Sequence, residues 1–250
     1  MKVYAFIPAR YGSTRFPGKP LALICGKPMI RHTYERALAC PDIEATFVTT
    51  DDDRIAQCVR SFDGEVVLTA ASHASGTDRI AEAAKKTGVK DDDVIVNIQG
   101  DQPLFEPAVI SEMVRPLVED RSLPMSTLKW QIKDPEEIRN PNHVKVVTDR
   151  DGLALYFSRY PIPYCRDHEG KGVHFKHLGF YAFRMSFLIR FSALSRGALE
   201  ALEQLEQLRA LEHGYRIKVV ETRHDSIEVD VPDDVKRIEE AMGRDPQTGC

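Results

Sequence analysis

The sequence predicts an α/β fold built on a mainly parallel sheet with helices on both faces. Three observations lead there. Short β-rich runs alternate with stretches whose apolar residues recur at helical spacing. Such alternation builds βα units, whose crossover helices cover a parallel sheet. The 250 residues are enough for one large domain carrying an insertion, and 42% hydrophobic with 29% charged residues is an ordinary globular composition.

Strands are predicted at 3–8, 45–49, 65–69 and 94–98, with helices at 29–39, 53–62 and 78–86 between them. This order is Rossmann-like. Beyond Pro107 the regularity breaks: a helix to about residue 118, a strand at 125–132 and a proline-marked stretch at 134–142. Strands at 144–148, 153–158 and 177–183 are expected to form a second, antiparallel layer. A helix over 199–212 ends before Gly214, a residue suited to the left-handed closing position. A strand at 217–220 and a helix at 233–242 complete the fold, and residues 244–250 are expected to fray.

Composition excludes several classes. A net charge of −4 offers no global positive field to nucleic acid, so any anion site must be local. The opening apolar run meets Arg10 too early for a signal peptide and falls far short of the roughly 20 residues of a spanning helix. The mature chain is expected to start here, with no membrane partner and a cytoplasmic location. Cys25, Cys40, Cys58, Cys165 and Cys250 show no CxxC or Cys/His spacing, which suggests neither a zinc site nor a disulfide framework.

In open α/β sheets the ligand sits outside the carboxyl ends of the strands, so the segments 9–20, 50–52, 70–77 and 99–103 should converge on one cleft. The first is Pro8-Ala9-Arg10-Tyr11-Gly12-Ser13-Thr14-Arg15-Phe16-Pro17-Gly18-Lys19-Pro20. Glycine and serine let backbone N–H groups approach phosphate while three cations neutralise it. The spacing is neither a Walker A motif nor a GxGxxG turn, which removes a nicotinamide-dependent oxidoreductase. An exposed basic loop is the plain alternative, although prolines fix the backbone around Lys19. Ser75 and Thr77 can either cap the following helix or contact a base and ribose. Asp101 should emerge at a strand end in the same cleft, where hard magnesium takes one or two carboxylates with phosphate oxygens and water. Asp230 is the candidate second acid, or else an N-cap beyond Pro232. His177 reads equally as a core or rim histidine, and Glu206 and Gln207 as the polar face of a helix. The acidic runs 51–53 and 91–93 read as solvated element ends.

The stretch Ile7-Pro8-Ala9-Arg10-Tyr11-Gly12-Ser13-Thr14-Arg15-Phe16-Pro17-Gly18-Lys19-Pro20-Leu21 resembles the signature of the 3-deoxy-manno-octulosonate (Kdo) cytidylyltransferases, the CMP-Kdo synthetases. Ser75-Gly76-Thr77-Asp78-Arg79, Asn97-Ile98-Gln99-Gly100-Asp101, Ala154-Leu155-Tyr156-Phe157-Ser158-Arg159, Lys176-His177-Leu178-Gly179 and Leu205-Glu206-Gln207-Leu208-Arg209-Ala210-Leu211 resemble that family in the same order.

The resemblance implies a Rossmann-like nucleotidyltransferase, a single domain over 1–250 in which about 120–200 forms a smaller mixed sugar-binding and dimerisation portion. It also implies a cytoplasmic, Mg2+-dependent homodimer that takes CTP and a 3-deoxy-octulosonate in lipopolysaccharide synthesis. Arg10, Ser13, Arg15, Lys19, Ser75, Gly76, Thr77, Arg79 and Asp101 match nucleotide-binding positions. Asp101 and Asp230 match the metal carboxylates, which with Arg10 and Lys19 form the catalytic set. Gln99, Arg159, Arg166, His177, Tyr181, Glu206 and Gln207 match positions around the sugar acid. Glu228 stands where many members have glycine and resembles a subgroup that includes enzymes for the 8-amino analogue of Kdo. That analogue, a sialic-acid type of cytidylyltransferase and a non-catalytic nucleotide or sugar module are the alternatives.

Overall fold

Strand β1 (Val3–Pro8) is apolar almost throughout because it runs through the middle of the sheet, with parallel neighbours on both sides. The computed structural model describes residues 1–12, 15–166 and 172–243. After β1 come a short 3-10 helix (Lys19–Leu21), the hairpin β2 (Leu23–Ile24) and β3 (Lys27–Pro28), and α1 (Met29–Leu38). Regular alternation follows through β4 (Ala45–Thr50), α2 (Asp53–Arg60), β5 (Val66–Leu68), α3 (Gly76–Lys86), β6 (Val94–Asn97), α4 (Ala108–Glu119) and β7 (Met125–Gln131). The rest comprises α5 (Pro135–Arg139), β8 (Lys145–Thr148), β9 (Ala154–Ser158), β10 (Phe175–Arg184), α6 (Met185–Ser192), α7 (Ala198–Glu203), α8 (Leu208–Glu212), β11 (Ile217–Thr222) and α9 (Asp234–Gly243).

One sheet runs in the order β11-β7-β10-β6-β1-β4-β5, and β10 is the single antiparallel strand on that path. Side chains alternate across it as a pleat requires. Ala5, Ile7, Val94 and Val96 enter one core with Ile30 and Tyr34 of α1, Ile55 of α2 and Met113 of α4. Phe6 and Ile95 enter the opposite core with Ile80 and Ala84 of α3 and Leu188 and Phe191 of α6. The sheet is therefore covered by helices on both faces, as the alternation predicts.

Three expectations need correction. β8 and β9 do not form a second layer: β8 pairs with the start of β10, and β9 with β8, so they extend the same sheet. The helix expected over 199–212 is two helices, because Gln204 adopts a left-handed conformation (φ 54°) that closes α7. Finally, Cys25 is disulfide-bonded, while Cys40, Cys58 and Cys165 are free thiols. The expected fraying of 244–250 lies outside the described residues, within which no helix is long and apolar enough to cross a membrane.

Candidate active site

The carboxyl ends of β1, β5 and β6 open into a cleft of about 290 Å³ lined by residues from segments 8–20, 73–79 and 99–101, together with Asp230. Its first wall depends on Gly18. This residue sits at φ +70°, where a Cβ would also come within 3.1 Å of the Tyr11 ring. The Tyr11 ring in turn lies 3.3 Å beneath the Arg54 guanidinium, and Gly18 N donates to Tyr11 O at 2.9 Å, so the described part of the loop is closed on itself. Gly100 lets the exit of β6 cross that of β1, since a Cβ there would approach Pro8 O to 3.0 Å.

Lys19 is mostly buried at the floor. Its ammonium lies 2.6 Å from Asp101 Oδ2 and 3.9 Å from Asp230 Oδ1, and it donates to Val229 O at 2.8 Å. Asp230 also receives the Arg15 guanidinium at 3.1 and 3.2 Å. Two backbone contacts join the distant acids: Val229 N donates to Asp101 O at 2.9 Å, and Leu104 bridges to Ile227. The capping alternative for Asp230 falls, because its carboxylate is held by Arg15 and Lys19 and accepts from no N–H of α9 among the described residues, while Asp234, the first residue of α9, accepts back from Asp230 N and Val231 N at 2.8 and 2.9 Å. Arg10 lines the cleft without an ion pair among the described residues. Ser13 lies outside them.

Of the second segment, Ser75 and Gly76 line the cleft, and Ser75 also caps α3 by accepting from Asp78 N at 3.1 Å. Thr77 turns away and donates to Glu206 Oε2 at 2.5 Å. Arg79 lines the cleft from a buried position, tied to Thr69 at 2.6 Å and Asp51 at 2.9 Å. Asp51 thus anchors an arginine and Asp52 caps α2, as solvated element ends do. His73 lines the same cleft, paired with Glu82, and the sequence reading does not single it out.

The residues expected around the sugar divide into two groups. Gln99 lines the nucleotide cleft. His177 and Tyr181 lie together on β10 with ring centroids 5.3 Å apart and planes tilted by 45°. The Thr127 hydroxyl donates to Phe180 O at 2.6 Å, so its oxygen accepts from His177 Nε2 at 2.9 Å. Glu206 and Gln207 occupy the turn between α7 and α8, not the face of a helix; Gln207 Nε2 and Glu206 Oε1 make no hydrogen bond among the described residues, and Glu206 Oε1 lies 3.7 Å from the Arg209 guanidinium. Burial lowers His177 to about 3, raises Tyr181 well above its ordinary value and raises Glu206. His177 lines a cavity beside the first, whereas Tyr181 and Glu206 are partly exposed and line neither.

Arg159 and Arg166 are not brought into either arrangement. The Arg159 guanidinium donates to Glu203 O at 2.7 Å, Pro141 O at 3.0 Å and Gln204 O at 3.4 Å, which ties β9 to the end of α7. Arg166 is exposed and makes no ion pair among the described residues.

A neighbouring cavity of about 320 Å³ shares Arg15 and Asp230 with the first and includes His177 and Glu228. Glu228 Oε1 accepts from Gln102 Nε2 at 2.9 Å. Burial and then the Asp101 and Asp230 carboxylates push Glu228 up to about 7; the residue keeps an exposed edge, so repulsion between these acids is the cause its geometry supports best. Asp101 and Asp230 share the Lys19 ammonium, and Arg15 also pairs with Asp230. Among the described residues no three or more His, Cys, Asp or Glu are grouped to hold a metal ion, so a divalent cation here would take these two carboxylates with phosphate oxygens and water.

Residues 4–219 match the cytidylyltransferase family. The chain is 56% identical to the 3-deoxy-manno-octulosonate cytidylyltransferase of Syntrophus aciditrophicus (strain SB) over 96% of this chain and 97% of that protein. It is 53% identical to the enzyme of the same name from Desulfosudis oleivorans, over 97% and 98%. A solved CMP:2-keto-3-deoxy-manno-octonic acid synthetase complexed with CTP superposes with a TM-score of 0.91 at 40% identity, covering 98% of this chain and 99% of that one. A 4-diphosphocytidyl-2C-methyl-D-erythritol synthase from Anaerococcus prevotii, at 13% identity and a TM-score of 0.63, shares the fold.

The state of His177 has a measurable consequence. Its folded value of about 3 lies below the ordinary 6.5, so as pH falls the unfolded chain takes up a proton that the folded chain refuses. The stability it contributes is complete above about pH 6.5 and is lost as pH falls towards about 3. Melting temperature should therefore drop more steeply over this window in wild type than in His177→Gln. Parallel slopes would mean that His177 protonates freely in the folded protein.

Proposed function

The chain belongs to the cytidylyltransferase family, and we propose that it transfers CMP from CTP to Kdo, giving CMP-Kdo and pyrophosphate for lipopolysaccharide synthesis. The observation that carries this reading is Lys19 held between Asp101 and Asp230 at the end of a cation-lined cleft. Relatives that are 53% and 56% identical carry the Kdo name, which favours Kdo over its 8-amino analogue, a sialic acid or a binding module without catalysis.

In the proposed reaction the anomeric hydroxyl of the sugar attacks the α-phosphorus of CTP in line. The new O–P bond forms as the bond to the pyrophosphate oxygen breaks, and the hydroxyl proton leaves to solvent. Both substrates are anions, so the chain's first task is to bring like charges together. Arg10, Arg15 and Lys19 line the cleft where a triphosphate fits, and their fixed charges offset the charge that shifts to the leaving pyrophosphate. Mg2+, held by Asp101 and Asp230, would neutralise phosphate oxygens and lower the pKa of the attacking hydroxyl.

The sugar is assigned to the wall formed by Gln99, His177, Tyr181, Glu206 and Gln207. Glu206 Oε1 and Gln207 Nε2, which make no hydrogen bond among the described residues, offer an acceptor and a donor to its hydroxyls. Arg166 is the cation still available to its carboxylate, whereas Arg159 shapes the wall through the carbonyls it holds.

A homodimer is supported by apolar surface along β9, the segment after it and α7: Leu155, Tyr160, Tyr164 and Leu202 are 62%, 76%, 85% and 81% exposed. β9 is also an edge strand, paired only with β8. We assign this portion, within about 120–200, to dimerisation and part of the sugar site. A cytoplasmic location fits a nucleoside triphosphate substrate.

Pyrophosphate release with CTP, Mg2+ and Kdo, set beside 8-amino-Kdo and sialic acid, tests the reading directly; turnover should be greatest with Kdo, and its absence with all three overturns it. Asp101→Asn should lower turnover by roughly 100-fold or more with an unchanged circular dichroism spectrum. Near-normal turnover would remove Asp101 from the reaction. For the assembly, light scattering should find a dimer in wild type and a monomer in Leu202→Asp, and a monomeric wild type would end the dimer proposal.

A further inference from the structure

Resting on the reading of the cleft as a CTP site, we infer that His73, oriented by Glu82, selects cytosine over uracil by accepting a hydrogen bond at Nδ1 from the exocyclic amino group of the base. His73 belongs to the loop between β5 and α3 and lines the nucleotide cleft beside Ser75 and Gly76. Its Nε2 is hydrogen-bonded to Glu82 Oε2. Glu82 is pinned from two further directions, by Ala70 N at 3.1 Å and the Lys86 ammonium at 2.6 Å. The hydrogen bonds from Lys86, His73 and Ala70 hold it at about 2, so it faces the ring as a carboxylate that can only accept.

In the proposed tautomer the ring proton sits on Nε2 towards Glu82, which leaves the Nδ1 lone pair for a ligand. The other polar side chains that reach the cleft from this loop are engaged. Ser75 Oγ accepts from Asp78 N, and Arg79 is spent on Thr69 and Asp51. Cytosine and uracil differ at C4, where the first presents an N–H donor and the second a carbonyl acceptor. A fixed acceptor therefore pairs with cytosine and opposes uracil, and a misplaced pair in a partly desolvated site is costly.

The test is the ratio of kcat/KM for CTP to that for UTP in wild type, His73→Leu and Glu82→Gln. A ratio cancels the folded fraction, so partial misfolding cannot imitate the effect. The CTP preference should fall about tenfold or more in His73→Leu and by a smaller factor in Glu82→Gln, which frees the ring to change tautomer. A His73→Leu ratio within about twofold of wild type, or a wild type with no preference, overturns the inference. If no preparation turns over, the proposed reaction has failed separately, and the dissociation constants of CTP and UTP in the same three proteins decide the role of His73.

Discussion

The ammonium of Lys19, set between carboxylates far apart in the sequence, is the constraint around which the site is arranged. Asp101 leaves the central strand β6, while Asp230 lies just before the last helix, and the contacts joining their segments bring them within reach of one cation. Without Lys19, and with no other cation bound, two acids would face each other across a partly buried floor, which is unfavourable even in a semi-polar environment. The lysine is correspondingly fixed. It begins a 3-10 helix, with Gly18 in the left-handed region before it and Pro20 after it. Its placement depends on backbone geometry as well as on charge.

The antiparallel strand β10 supplies the other half of the site. Tyr181 pairs with Asn97 at the carboxyl end of β6, and Arg184 with Val94 at its start, so the first half of β10 overshoots β6 on the side where the nucleotide cleft opens. His177 lies on that overhang. A register shift between Leu178 and Tyr181 in the β7 pairing then bends the strand there. A purely parallel sheet would end at its strand termini and offer loops alone. Here a rigid strand carries side chains past the switch point, a firm platform for an acceptor substrate.

Much of this was legible in the sequence, for physical reasons. The parallel core follows from runs such as residues 94–96, buried on both faces and therefore continuously apolar. The loop after β1 declared its chemistry through closely spaced cations, glycine and proline. Local signals could not show where distant segments meet, so Asp230 had two readings until its carboxylate proved to face Lys19 and Arg15. The break at Gln204 was hidden because a glutamine in the left-handed region has no sequence mark, and without that break Glu206 reads as an ordinary helix residue. Nor could spacing show that the Arg159 guanidinium is spent on backbone carbonyls. The His73 signal is faint: a histidine ahead of a helix cap, with a glutamate farther along that helix.

Polar atoms left without partners explain why the cleft wall takes its present form. Buried donors and acceptors in folded proteins are almost always satisfied, and an orphan costs about 1–3 kcal/mol. Gln102 Oε1, Glu206 Oε1 and Gln207 Nε2 make no hydrogen bond among the described residues, as is also true of atoms elsewhere such as Thr46 Oγ1 and Glu112 Oε2, and Glu206 Oε1 is neutralised by Arg209 at 3.7 Å. The hydrophobic cores on either side of the sheet could have supplied apolar replacements, which would stabilise the free protein. Water or a ligand can complete their hydrogen bonds, and the hydroxyl-rich sugar acid proposed as the acceptor would offer both donors and acceptors. On that proposal, stability given up in the free protein would return as binding energy directed at that class of substrate.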